Sequence, residues 1–152
     1  MKNNNQITYT CGDNAIEALL EFCQANRFNH FLLVCDRNTQ AVMGRRVEAA
    51  LLENGGDVLT VVLDGKEVIA DEEYLIQVLF HSDARPRLYV AVGSGTITDI
   101  ARFCSHRTGN PLVVVPTAPS VDGFASLIAP VVIRLFKDTA YCHAPLGIFA
   151  DV

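Results

Sequence analysis

Gly93, Ser94, Gly95 and Thr96 are the residues whose types and spacing bear most directly on chemistry. An apolar run, Leu88–Val92, precedes them, and an apolar pattern at helical spacing, Ile97, Ile100, Ala101 and Cys104, follows. Strand, tight glycine turn and helix in succession aim free backbone N–H groups and the positive end of a helix dipole at one point beyond the strand end. An anion fits there, and a dinucleotide pyrophosphate suits it best. Residues without a Cβ let the backbone turn sharply and approach a phosphate closely. The same four residues also suit a plain strand-to-helix turn with no ligand.

The elements that must position this turn follow a simple alternation. Ile7–Thr10 reads as a short edge strand. From Asn14, Ile16, Leu19, Leu20 and Cys23 mark one face of a helix. Phe31–Cys35 is an apolar run too short for a helix and reads as a buried strand. Asp36–Thr39 is expected as a polar loop, followed by a helix that turns Val42, Val47, Ala50 and Leu51 inward and stops at Asn54-Gly55-Gly56. Val58–Leu63 is a third strand. Asp71-Glu72-Glu73 opens a helix expected to bury Leu75, Ile76, Val78 and Leu79. Leu112–Val115 is a fifth strand, Pro116–Ser126 a long polar loop, and Leu127–Ile133 and Gly147–Ala150 two more strands, with Lys137–Ala144 as a turn region between them. Strands alternating with helices predict an α/β fold, a Rossmann-like, mostly parallel sheet with helices on both faces and one domain spanning 1–152. Ligands of such sheets bind outside the carboxyl ends of the strands. Three segments leave those ends: Asp36–Thr39, Gly93–Thr96 and Pro116–Ser126.

Composition narrows the function classes. With 152 residues, half of them hydrophobic, the chain can bury a sizeable core, and its net charge of −5 comes without a basic stripe. A nucleic-acid partner is therefore not expected. No apolar run reaches membrane-spanning length, and the N-terminus lacks the apolar core of a secretory signal, so a cytoplasmic chain without a membrane partner is expected. Cys11, Cys23, Cys35, Cys104 and Cys142 form an odd set with no C-x-x-C pair; free thiols, most of them buried, are expected.

The glycine turn departs from the common dinucleotide fingerprint. A third glycine would fall at Thr98, and the acidic residue that usually follows the turn by about 20 residues is absent. Instead an acid at a strand end, Asp36, comes before the turn. Either the turn binds no dinucleotide, or the two tasks occur in reverse order along the chain.

That reversed order, with the residues around it, resembles the superfamily of glycerol dehydrogenase, iron-containing alcohol dehydrogenases, sn-glycerol-1-phosphate dehydrogenase and 3-dehydroquinate synthase. Its motif reads roughly G-G-G-T-x-x-D-x-A-K; here it is Gly93-Ser-Gly-Thr-Ile-Thr-Asp99-Ile-Ala-Arg102. A second segment, Pro116-Thr-Ala-Pro-Ser-Val-Asp-Gly-Phe-Ala-Ser126, is the sharper one and is similar to the sn-glycerol-1-phosphate dehydrogenases, particularly their bacterial branch. The resemblance runs from about Gly12 to Asp151 and implies a dehydroquinate synthase-like N-terminal domain.

Carried over, the resemblance implies a role for each matching residue. Asp36 would accept hydrogen bonds from the adenosine ribose; a cap on the next helix is the other reading. Gly93, Ser94, Gly95, Thr96 and Ile97 would hold the pyrophosphate of NAD or NADP. Asp99 falls where the family keeps an acid in the first turn of the helix, in contact with ligand or simply with the dipole. Thr117, Ala118, Pro119 and Ser120 would line the cofactor near its nicotinamide, although a buried hydroxyl in a turn also accounts for Thr117. Asp122 would face the hydroxyls of a small phosphorylated triol or ketone substrate, or else belongs to an Asp-Gly turn. Ser126 would return to the cofactor.

The sequence departs from the family at several places. Ser94 replaces a glycine, Arg102 a lysine, Val121 the histidine usual in archaeal members, and Leu135 a frequent glycine. The superfamily carries a second, helical domain whose Asp and two His hold a divalent metal, Zn, Ni or Fe. The sequence ends before any such G-x-G-D motif, and His30, His81, His106 and His143 show no ligand spacing. The resemblance therefore implies the nucleotide-binding half of a dehydrogenase that moves hydride between NAD(P)H and dihydroxyacetone phosphate, catalytic only with its helical partner. Two alternatives stay open: a non-catalytic NAD-binding or assembly module that pairs with a second copy, and a 3-dehydroquinate synthase-like lyase domain.

Overall fold

The computed structural model describes residues 6–118 and 123–151. Six strands form one wholly parallel sheet in the order β1-β8-β5-β4-β2-β3: β1 Thr8–Cys11, β2 His30–Asp36, β3 Asp57–Leu63, β4 Leu88–Gly93, β5 Leu112–Pro116 and β8 Gly147–Ala150. β6 (Ile128–Ile133) and β7 (Phe136–Tyr141) form a separate antiparallel pair. The helices are α1 (Ala15–Ala25), α2 (Arg37–Thr39), α3 (Arg45–Glu53), α4 (Glu72–His81) and α5 (Gly95–Arg107), with a π-helical turn, Gln40–Gly44, joining α2 to α3.

Alternate residues of the central strands feed two cores, as a strand's period of two requires. Phe31, Leu33, Cys35, Val90, Val92, Val113 and Val115 pack with α1 and α3. Leu32, Val34, Tyr89, Ala91, Leu112 and Val114 pack with α4, α5 and the β6–β7 hairpin. Strands covered on both faces read as unbroken apolar runs, as β2, β4 and β5 do.

Four local expectations need correction. Asp36–Thr39 is not a loop: Asp36 ends β2 and caps α2 directly. Val42 is exposed and Met43 is buried in its place, because the inward face runs Met43, Val47, Leu51 at steps of four. Ile76 is 60% exposed, and Tyr74 takes its place against the sheet. The supposed turn region after Lys137 holds most of β7, whose burial is confined to Ala140.

The chain passes from β2 outward to β3, then back across to β4 and on to β5. The strand order thus reverses between β2 and β4, and the crevice beyond the carboxyl ends of those two strands is where open α/β sheets bind ligands.

Candidate functional site

Asp36 and Gly93 stand at the mouth of that crevice. Val34 pairs with Ala91, two residues before the end of each strand, and Gly93 pairs in turn with Pro116 of β5. Three of the residue groups marked from sequence therefore share one end of the sheet, on strands about 4.8 Å apart.

The glycine turn is shaped by two different constraints. A Cβ on Gly93 would lie 2.8 Å from Ile97 Cγ1, so the strand-to-helix turn closes tightly only with glycine there. A Cβ on Gly95 would meet nothing within 4 Å. Gly95 thus borders open space, as a cradle for a bound group would. Ser94 is the N-cap of α5 in an extended conformation, and its side chain makes no capping hydrogen bond. The first intrahelical bonds come from Thr98, whose N–H and hydroxyl both donate to the Ser94 carbonyl at 3.0 Å. The N–H groups of Gly95, Thr96 and Ile97 precede that point and have no intrahelical acceptor. They can serve an anion, and the α5 dipole favours one.

Asp36 serves as a cap and keeps a free edge. Its Oδ1 accepts the Thr39 N–H at 2.8 Å, and its own N–H donates to Thr39 Oγ1 at 3.0 Å, a reciprocal capping box. Oδ2 is left out of the cap, and the residue is partly exposed. A fixed carboxylate with one oxygen available suits a pair of sugar hydroxyls. The neighbouring Arg37 is held by Asp64 at 2.6 Å.

Thr117 lies against the glycine turn, its N–H donating to the Gly93 carbonyl at 3.3 Å, and Ala118 is exposed beside it. Pro119, Ser120 and Asp122 lie outside the described residues. Ser126 returns on a turn closed by its N–H to the Gly123 carbonyl at 3.3 Å, and its Oγ accepts the Ile128 N–H at 3.0 Å.

Asp99 is not in the first turn of α5, which holds no acid. It lies one turn further on, where Arg102 Nη1 donates to its Oδ1 at 2.9 Å. Burial pushes the Asp99 carboxyl up to about 6 despite the guanidinium beside it. Arg102 itself is completely buried, and burial lowers its pKa from the ordinary arginine value. The sequence marked Arg102 only as a cation in place of a lysine. Its signal was there, an Asp and an Arg three apart on a helix whose neighbours are apolar. Among the described residues, no group of three or more His, Cys, Asp or Glu could hold a metal ion.

The family model for iron-containing alcohol dehydrogenases matches residues 10–152. The chain belongs to the iron-containing alcohol dehydrogenase family. It is 40% identical over 143 residues to the NAD(P)+ glycerol-1-phosphate dehydrogenase of Bacillus velezensis, in an alignment covering 92% of this chain and 36% of that enzyme. The chain thus spans about a third of the length of the curated relatives it matches. Among solved structures, glycerol dehydrogenase from Schizosaccharomyces pombe superposes with a TM-score of 0.81 at 19% identity, covering 97% of this chain and 39% of that one. A 2-deoxy-scyllo-inosose synthase crystallised with carbaglucose-6-phosphate, NAD+ and Co2+ superposes with a TM-score of 0.78 at 18% identity, over 94% and 42% of the two chains. These superpositions establish that the parallel sheet and its helices share the fold of those two enzymes.

Proposed function

We propose that this chain is the nucleotide-binding part of a glycerol-1-phosphate dehydrogenase. In that reading residues 1–152 act as one domain in the cytoplasm. The observation that carries it is the uncapped N-terminus of α5, bordered by the open side of Gly95 and set one strand away from Asp36. The N–H groups of Gly95, Thr96 and Ile97 hold the pyrophosphate, and Asp36 Oδ2 receives the adenosine ribose. Thr117, Ala118 and Ser126 line the path of the nicotinamide; for Pro119, Ser120 and Asp122, which lie outside the described residues, the resemblance implies contact with cofactor and, at Asp122, with substrate. When bound, NAD(P)H would supply the hydride, and a proton taken up with it would complete the reduction of the ketone of dihydroxyacetone phosphate to sn-glycerol 1-phosphate. The chain's own residues bind and orient the nucleotide, while the longer relatives carry further chain beyond the matched part. The Bacillus velezensis relative is an NAD(P)+ glycerol-1-phosphate dehydrogenase, which supports the cofactor class.

Calorimetric titration of the chain with NADH and with NADPH tests this reading. Saturable binding of a dinucleotide is expected, with NADH preferred because Asp36 repels a 2′-phosphate. No heat of binding at millimolar concentrations of either would remove the proposal.

A second reading, an assembly module, is favoured by the hairpin. Leu135 is 94% exposed, Phe136 77% and Tyr141 80%, an apolar edge suited to association. Sedimentation showing only monomer at high concentration would count against it.

A further inference from the structure

Arg102 is the largest completely buried side chain among the described residues. Its guanidinium makes four hydrogen bonds. Nη1 donates to Asp99 Oδ1 at 2.9 Å and to the Ile128 carbonyl at 3.1 Å; Nη2 donates to the carbonyls of Gly123 at 2.7 Å and Phe124 at 2.8 Å. Nε is buried with no hydrogen-bond partner among the described residues. Three of the four acceptors are thus backbone oxygens on the stretch that carries Ser126.

We infer that Arg102 is a positioning residue for the nucleotide site: it locks the Gly123–Ile128 segment onto α5 and so fixes Ser126 relative to the glycine turn that opens the same helix. This rests on the nucleotide reading given above. Gly95 and Arg102 lie about two turns apart on one rigid helix. The Gly123 carbonyl held by Nη2 also closes the Gly123–Ser126 turn, and the Ile128 carbonyl held by Nη1 belongs to the residue whose N–H engages Ser126 Oγ. The serine hydroxyl, used as an acceptor there, still has its proton to donate outward.

Energetics favour a specifying role over a stabilising one. A buried ion pair seldom improves on a well-packed apolar pair, because desolvation cancels much of the attraction. Here the single carboxylate partner accounts for one bond and the backbone for three. A planar fork with fixed donor directions serves several carbonyls at once, which an ammonium on a flexible stem does less well. The lysine usual in the family would hold this segment with fewer or differently directed bonds.

Three variants, R102K, R102M and D99N/R102M, test this together with wild type. The double variant removes both charges and leaves no buried carboxylate stranded, and R102K retains the cation, so failure of R102M alone to fold leaves two further variants for the comparison. Titration uses two ligands, NADH and ADP-ribose, and ADP-ribose lacks the nicotinamide that the Ser126 side would contact. Amide hydrogen exchange is read in parallel. We expect exchange to quicken at Ser126 and Ile128 in every folded variant while the amides of α4 and β4 hold. We expect NADH affinity to fall about tenfold, the effect of one lost hydrogen bond, with ADP-ribose affinity within about twofold of wild type. Unchanged exchange at Ser126 and Ile128, or equal weakening of both ligands, would overturn the positioning role. If wild type bound neither ligand, the nucleotide reading would fall and this inference with it; exchange that quickened as described would still show the lock.

Discussion

Asp36 and Gly93 end adjacent parallel strands on the two sides of the point where strand order reverses, with Val34 facing Ala91 just before them. One is a carboxylate with an oxygen left outside its helix cap. The other starts a turn whose helix presents N–H groups that no side chain caps. An anion-accepting cradle thus lies one strand from a carboxylate that can accept hydrogen bonds from hydroxyls.

The two glycines should respond differently to the same substitution. Gly93→Ala places a methyl against Ile97 and is expected to cost about 1–3 kcal/mol, as overpacking does. Gly95→Ala meets open space and should leave stability within about 1 kcal/mol of wild type. Its methyl would enter the cradle, so NADH binding should weaken about tenfold or more, on the scale of a lost charged hydrogen bond. Chemical denaturation and calorimetry on both variants check the pattern.

Asp36→Asn keeps a good N-cap, so stability should change by less than about 1 kcal/mol. It removes the charge proposed to face the ribose. NADH should bind more weakly, and the ratio of NADPH to NADH affinity should rise about tenfold, the effect of relieving one like-charge contact in a solvated site. Parallel titrations of the two cofactors read this ratio.

Stability should depend on pH in two windows of opposite sign. At the amino ends of the strands, buried Arg87 donates to Asp83 at 2.9 Å and to Asp57 at 3.1 Å. The hydrogen bond from Arg87 holds Asp83 down at about 2, and the bond with His30, aided by Arg87 and Arg85, lowers Asp57. Depressed carboxyls stabilise the fold above their ordinary range and lose that contribution as pH falls through it, so Tm should drop between pH 4 and 2. Asp83→Asn should flatten that decline. Asp99, raised to about 6 by burial, acts in reverse: its contribution is full below pH 4 and is lost as pH rises to 6. Asp99→Asn should remove that slope, which melting curves from pH 2 to 7 would show.

All five cysteines are free thiols, but they differ in access. Burial raises Cys23, Cys35 and Cys104 to about 12, whereas Cys11 is exposed and Cys142 only partly buried. Titration of the folded chain with a thiol reagent should show two groups reacting early, Cys11 and Cys142, and three more only on unfolding. Early modification of Cys23, Cys35 or Cys104 would contradict the packing of the two cores.

The central sheet was legible because its strands are buried on both faces, and apolar runs such as Phe31–Cys35 and Leu112–Val115 admit few other readings. The glycine turn was legible because strand, turn and helix follow each other without a break. The hairpin was not. Phe136–Tyr141 exposes nearly every side chain, so its strand character comes from pairing with β6 and leaves little hydrophobic pattern. The phase of the helix after β2 slipped by one residue at Val42, because the π turn at Gln40–Gly44 offsets the helical repeat there. Arg102 escaped as a buried residue because local sequence cannot show that backbone carbonyls more than 20 positions away will converge on it.

The most direct measurement is to follow the backbone amides of the isotope-labelled chain by nuclear magnetic resonance during titration with ADP-ribose. Saturable shifts centred on Gly95, Thr96 and Ile97 are expected, with Asp36 and its cap moving at the same ligand concentrations. Saturable binding that leaves those three amides in place, or spectra unchanged at millimolar ligand, would contradict it.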